Sequence, residues 1–175
     1  MKGIAGLDSS LEVVIHKITK NETSSINADS LSKAINNAVI WKQQNPSKAC
    51  VINLSLGGGT SANLEQQIVA ARTVGVIIIC AAGNSGTQPV QYPGRYSTNY
   101  DNVVCVGASY KSDNGATYSN YSPNNSTYQL TLVAPGGRGS GFANSENMIA
   151  PWVSLSNSSQ AVYAANLWVH HFQLL

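Results

Sequence analysis

Two apolar stretches of the chain pass directly into glycine and other small residues. Residues 51–59 read VINLSLGGG, and residues 76–86 read VIIICAAGNSG. A run of β-branched residues closed by glycine is typical of a strand buried on both faces, as in parallel sheets. The sequence therefore predicts two buried strands whose small-residue ends leave room for a ligand. A strand followed by an ordinary glycine-rich turn is the alternative interpretation.

A helix is predicted between these two strands. Residues 61–75 carry apolar side chains at helical spacing, with Ser61 suited to cap the start and Gly75 suited to follow the end. The apolar positions are Leu64, Ile68, Ala71 and Val74. A right-handed crossover of this kind places both strand ends at one edge of the sheet, which is where α/β proteins bind ligands.

Further elements follow from the same patterns. A helix is expected to run from Asp29 or Ser30, either of which suits the cap, to about Gln44, and Pro46 prevents its continuation. Its apolar stripe consists of Leu31, Ile35, Ala38 and Val39. Alternation predicts a first strand at residues 11–18, and later strands at 103–109, 116–122 and 129–135. Asn114 and Gly115 fit a hairpin turn between two of these strands.

Composition limits the classes of function. The chain has 175 residues, 10% of them charged, and a net charge of +2. This favours one globular domain and gives no reason to expect nucleic acid as a partner. No apolar run is long enough for a membrane span and Met1 leads into no signal peptide, so we expect a cytoplasmic location if translation begins there.

Neither a metal nor a cofactor is expected. Cys50, Cys80 and Cys105 each fall in a predicted strand without paired spacing, which favours free buried thiols over disulfides or a metal site. Carboxylates do not cluster as a calcium site would require.

The order of four short motifs resembles the subtilisin-like serine peptidases, the subtilases. They are AAGN at 81–84, YPGRY at 92–96, VGAS at 106–109 and VAPG at 133–136. The resemblance covers roughly residues 3–137. It implies the central part of a subtilase catalytic domain: an α/β, three-layer fold with a mostly parallel sheet flanked by helices. It also implies an extracellular location for the family and a peptide or protein as substrate.

The resemblance also implies roles for individual residues. Asn84 matches the asparagine that donates a hydrogen bond to the oxyanion formed during peptide hydrolysis. The matching substrate-binding residues are Ser55, Leu56 and Gly57 on one wall of the cleft, Ala82 and Gly83 on the other, and Gln91 at the pocket floor. A polar floor should disfavour large aromatic side chains. Pro93 matches a proline that the family holds in cis.

The Asp, His and Ser motifs of the family's triad are not found in this sequence. Asp8 is interpreted as a turn residue before a strand and His16 as a structural or surface histidine, so we expect this chain alone not to hydrolyse peptides. Residues 138–165 are interpreted as a degraded or divergent continuation of the domain. Residues 166–175 are interpreted as out-of-frame translation, because a shifted frame across Trp168 and Val169 can encode the serine motif GTS-x-x-x-P.

Two other classes of function are considered. A peptide-binding module without catalysis would use the edge at Ser55, Leu56 and Gly57 to add a strand of peptide. A nucleotide-binding α/β protein is suggested by the strand, GGG and helix order at residues 56–64. That stretch contains neither GxGxxG nor GK[ST], which such proteins use to hold phosphate.

Overall fold

A five-stranded sheet forms the centre of the fold in the computed structural model, which describes residues 10–19, 26–87, 89–122, 130–139, 149–153 and 161–165. Three strands pair in parallel in the order β1, β2, β3, and β5 pairs parallel to β3. The short β4 pairs antiparallel to the end of β3. The strands are β1 (Val51–Leu54), β2 (Ile77–Ala81), β3 (Val103–Tyr110), β4 (Asn114–Gly115) and β5 (Leu132–Pro135).

Two helices connect and cover these strands. Helix α1 (Ala28–Gln44) precedes β1, and α2 (Ala62–Thr73) joins β1 to β2, so the α/β class is confirmed. Three of the four predicted apolar positions in each helix are buried; the fourth, Ala38 or Val74, is half-buried. The buried ones are Leu31, Ile35 and Val39 of α1, and Leu64, Ile68 and Ala71 of α2.

The caps of α2 agree with the prediction, whereas the N-terminal cap of α1 does not. Ser61 Oγ accepts a hydrogen bond from the Leu64 amide at 3.2 Å, and Gly75 follows α2 with φ +78°, both as expected. For α1 the prediction of Asp29 or Ser30 is wrong. The cap is Asn27, whose Oδ1 accepts from the amides of both residues at 2.9 and 3.2 Å. Asparagine caps as well as aspartate or serine do, so the helix begins earlier than expected.

The helices pack on one face of the sheet. Their buried residues form a single cluster with Leu54, Ile78 and Val103. Neighbouring residues on a strand point to opposite faces, and Val51 and Ile77 on the second face are 55% and 45% exposed. Within the described residues no helix packs on that second face.

Two of the predicted strands are not observed. Residues 11–18 form no strand, and Leu11, Val13 and Ile15 are exposed. An extended segment needs a neighbouring strand for its backbone hydrogen bonds, and the described ranges contain none beside it. Residues 116–122 form turns instead of a strand, since the Ser119 amide donates back to the Ala116 carbonyl at 2.9 Å.

The hairpin turn lies earlier than predicted. A 3₁₀ turn, Lys111–Asp113, reverses the chain, with Asp113 at φ +59°. Aspartate tolerates this left-handed conformation. Because the turn is made by Lys111–Asp113, Asn114 and Gly115 lie in a strand and pair with Tyr110 and Ser109. Outside the main sheet, β6 (Ile149–Val153) and β7 (Ala161–Ala165) form an antiparallel pair that was not predicted. Asp8 and residues 166–175 lie outside the described residues.

The described part of the chain contains no helix long and apolar enough to cross a membrane. It also contains no group of three or more side chains that could hold a metal ion.

The three cysteines are free thiols in two different environments. Cys80 and Cys105 face each other in register on β2 and β3 with no exposed surface. Burial raises the pKa of Cys105 to about 12 and that of Cys80 well above its usual value. Cys50 lies just before β1 and is half-buried; burial raises its pKa and the nearby Lys42 lowers it.

We expect one of the three thiols to react quickly with a disulfide reagent such as DTNB at pH 8 in the folded chain. The thiolate is the nucleophile, and of the three thiols only that of Cys50 is accessible, since Cys80 and Cys105 have no exposed surface. The other two thiols should react only after unfolding in denaturant. Cys50→Ser should abolish the fast phase, and two or more fast thiols in the native chain would contradict the packing described.

Candidate functional site

The candidate site lies where β1 and β2 end, at the same edge of the sheet. Leu54 and Cys80 are the last register pair, so the segments 55–57 and 82–84 continue from adjacent strand ends. A third segment links them. The Gly58 amide donates to the Tyr92 carbonyl at 2.9 Å, and the Gln91 amide donates to the Ala82 carbonyl at 2.8 Å. The parallel pairing therefore brings Gly57, Ala82, Gly83 and Gln91 together.

The side chain of Gln91 occupies the gap between the two strand ends. A Cβ atom built at Gly57 would be 2.1 Å from Gln91 Oε1, and one built at Gly83 would be 3.0 Å from Gln91 Cγ and Cδ. Glycine at both positions thus leaves a slot that the Gln91 amide fills. Sequence reasoning placed this residue near the slot, but not its side chain inside it.

The other residues of the predicted walls differ in exposure. Gly57 is exposed, and Ser55 and Leu56 are half-buried. The Ser55 hydroxyl donates to Asn53 Oδ1 at 3.2 Å, and Leu56 packs against the main core. Ala82 is only 1% exposed. None of the predicted site residues carries a charge, so binding there would depend on hydrogen bonds and shape.

Asn84 sits at the start of a tight loop. It follows Gly83, whose φ of +109° is rare for other residues, and Gly86 adds a second positive φ of +63°. Asn84 is half-buried. Among the described residues no hydrogen bond is made by its side chain, so the amide N–H groups are available to a ligand.

A row of tyrosines holds the segment that carries Gln91. The Tyr92–Pro93 peptide bond is cis, as expected, and a 3₁₀ turn, Gly94–Thr98, follows it. Tyr92 and Tyr96 lie edge to face with ring centroids 4.7 Å apart. Tyr96 is hydrogen-bonded to Thr60.

Tyr100 extends this row to helix α2. Its hydroxyl donates to Glu65 Oε1 at 2.7 Å, and that hydrogen bond raises the pKa of Tyr100. The 92–100 segment is thereby tied to the start of the helix that follows the first wall.

Sequence reasoning did not identify Asn120 as part of this region. Asn120 is 2% exposed and hydrogen-bonds to the loop that contains Asn84. Its stretch, ATYSNYS, was interpreted as a strand, and no local pattern marks one of its polar residues as different from the others.

Comparisons with known proteins agree with this architecture. The sequence model of the Subtilase family matches residues 1–166. Subtilisin BL of Lederbergia lenta is 41% identical over 87 residues, which are 49% of this chain and 29% of that protein. The extracellular serine proteinase of Thermus sp. (strain Rt41A) is 30% identical over 132 residues, which are 75% of this chain and 28% of that protein.

Solved structures give the same fold. A protease from Pseudoalteromonas arctica PAMC 21717 superposes with a TM-score of 0.62 at 30% identity, covering 83% of this chain and 42% of that one. A lanthipeptide protease superposes with a TM-score of 0.63 at 19% identity, covering 89% and 50%, which supports the fold alone.

The fold is therefore that of an α/β protein of the subtilisin type. The chain belongs to the subtilase family of serine peptidases. It spans 20% to 35% of the length of the curated relatives that it matches.

We expect Gly83→Ala to destabilise the chain by more than about 1 kcal/mol, because φ of +109° is strained for alanine and the new Cβ would be 2.7 Å from Asn120 Nδ2. Gly59→Ala is the matched control, since a Cβ there meets nothing within 4 Å. It should change the free energy of unfolding by less than about 0.5 kcal/mol. Urea unfolding followed by circular dichroism measures both; equal effects would contradict the described loop.

Proposed function

We propose that this chain provides the substrate-binding cleft and the oxyanion donor of a subtilisin-like serine endopeptidase, and that it does not hydrolyse peptides alone. The substrate backbone lies along Ser55, Leu56 and Gly57, and the side chain before the cut enters the slot toward Ala82 and Gly83. Asn84 donates its amide to the oxyanion. The parent domain acts outside the cell, as the name of the Thermus relative states for that protein.

One observation carries the proposal. Among the described residues the Asn84 side-chain amide makes no hydrogen bond, and it lies at an edge where two parallel strands end in small residues. A donor fixed before reaction stabilises developing negative charge without the cost of reorienting water. Catalysis also requires a nucleophile and a base, and the sequence contains no recognisable motif for either. The purified chain should therefore leave peptide substrates intact and resist labelling by serine-reactive phosphonates.

A graft tests the role of Asn84. Residues 50–137 replace the equivalent segment of Subtilisin BL, which supplies the catalytic groups. In an active graft, Asn84→Ala should lower kcat by about 100- to 1000-fold with KM little changed, the loss known for a member of this family when its oxyanion-hole asparagine is removed. Asn99→Ala, which alters an exposed asparagine, is the control. An unchanged kcat in the Asn84 variant would refute the assignment.

The same graft tests the pocket. Because the Gln91 side chain fills the slot between Gly57 and Gly83, the graft should prefer a small residue before the cut. Gln91→Ala should raise kcat/KM for a substrate with Phe at that position relative to Ala by at least about 10-fold. Gln66→Ala, at an exposed position of α2, should leave the ratio unchanged. The idea fails if both variants give the same ratio as the parent graft.

A peptide-binding module without catalysis is the second candidate. Residues 55–57 follow β1 and belong to no described strand; Gly57 is exposed, and Ser55 and Leu56 are half-buried. Their backbone would pair with an extended peptide as an added strand. Titration of the purified chain with an extended peptide, followed by NMR shifts at these residues, distinguishes the candidates. Binding without turnover by both the chain and the graft would favour the module.

A further inference from the structure

Asn120 holds both peptide groups that flank Asn84. The Asn120 backbone amide donates to the Gly83 carbonyl at 3.0 Å, and Asn120 Oδ1 accepts from the Ser85 amide at 2.8 Å. One residue, 36 positions downstream of Asn84, thus fixes the chain immediately before and immediately after it. We propose that Asn120 is a positioning residue that sets the direction of the Asn84 amide; this rests on the function proposed above for Asn84.

The side chain of Asn120 has little freedom of its own. Its Nδ2 group donates to the Pro89 carbonyl at 3.3 Å, while Oδ1 also lies 3.5 Å from the Thr87 amide. Because the residue is 2% exposed, water cannot replace these partners. A buried amide with both its donor and its acceptor engaged costs free energy to turn, so the loop residues that it contacts, Ser85 and Pro89, are held from one side.

The position of Asn120 is itself set by the end of β3. Ser119 Oγ accepts from the Ala108 amide at 2.9 Å and donates to the Asn120 carbonyl at 3.1 Å. The Gly86 amide adds a further link by donating to the Tyr118 carbonyl at 2.7 Å. A series of hydrogen bonds therefore links β3, through Ser119 and Asn120, to the loop that carries Asn84.

Only an amide satisfies all of these bonds. Serine or alanine at position 120 retains the backbone bond to Gly83 but cannot reach both Ser85 and Pro89. Aspartate retains the acceptor for Ser85 and loses the donor for Pro89. Asn120→Asp thus removes the side-chain bond to Pro89, and Asn120→Ser removes the side-chain bonds to both Ser85 and Pro89 while it keeps the backbone bond to Gly83.

Hydrogen exchange of the full chain tests, without any assay of activity, whether Asn120 holds the loop around Asn84. In Asn120→Ser the amides of Ser85 and Gly86 should exchange at least about 10-fold faster than in the parent, while the Cys105 amide, which donates to Thr131 Oγ1, should stay protected. Asn120→Asp should keep most of the protection at Ser85.

The matched control is Asn102→Ser. Asn102 is also buried, and its Nδ2 donates to the carbonyls of Ile68 and Val76 at 3.3 and 3.2 Å, away from the loop. This variant should raise exchange evenly across the core without selecting Ser85 and Gly86. Equal effects of the two serine variants on the loop would overturn the proposal.

Kinetics in the graft of residues 50–137 provides the second readout. Asn120→Ser should lower kcat and leave KM nearly unchanged, and Asn120→Asp should restore part of the rate. Adding Asn120→Ser to Asn84→Ala should cause little further loss, because Asn120 acts on the rate only through the Asn84 donor.

The two proposals fail separately. An unchanged kcat in Asn84→Ala would refute the oxyanion role, whatever the exchange data show. A lowered kcat in Asn84→Ala with parent-like exchange and kcat in Asn120→Ser would refute the positioning role alone.

Discussion

The parallel pairing of β1, β2 and β3 is the constraint on which the rest of the structure depends. Because each strand runs in the same direction, their carboxyl ends meet at one edge, and the chain that leaves them carries the candidate site. The same pairing orients the third strand, β3, so that the turns after it reach back to the loop after β2. A site assembled from three strand ends does not require long loops to bring its parts together.

The sheet is also unevenly covered. The helices bury Leu54, Ile78 and Val103 on one face, whereas Val51, Ile77 and Leu132 on the other are 41% to 55% exposed. Parallel sheets are normally covered on both faces, because their strands are apolar throughout. β1 and β2 are nevertheless in register, and on the covered face α1, α2 and Tyr96 pack against them in one cluster.

Much of the fold could be predicted because its signals are local. The spacing of Leu64, Ile68 and Ala71 and the cap at Ser61 identify α2 without reference to any other element. The prediction of a strand at residues 11–18 failed because alternation of apolar and polar residues indicates only which side chains would be buried in a sheet. It does not indicate whether a second strand is present to form the backbone hydrogen bonds. The shift of the hairpin turn likewise depended on one residue, Asp113, that adopts a left-handed conformation.

The candidate site was only partly predictable for the same reason. The motif around Asn84 and the segment around Gln91 could be recognised in the amino-acid sequence. The structure brings Gly57, Gly83 and Gln91 together. The part proposed for Asn120 depends on contacts with residues that lie 31 to 37 positions earlier, so nothing in the neighbouring sequence indicates it.

The order of the strands has a further consequence for how the molecule is made. β2 pairs with β1, and β3 pairs with β2, each after a single connection, so both strands find their neighbour already synthesised. The sheet can therefore grow in step with translation, and no part of it has to wait for a distant segment. Asn120, which holds the loop after β2, follows β3 in the chain and precedes β5, so its hydrogen bonds to that loop can form before β5 completes the sheet.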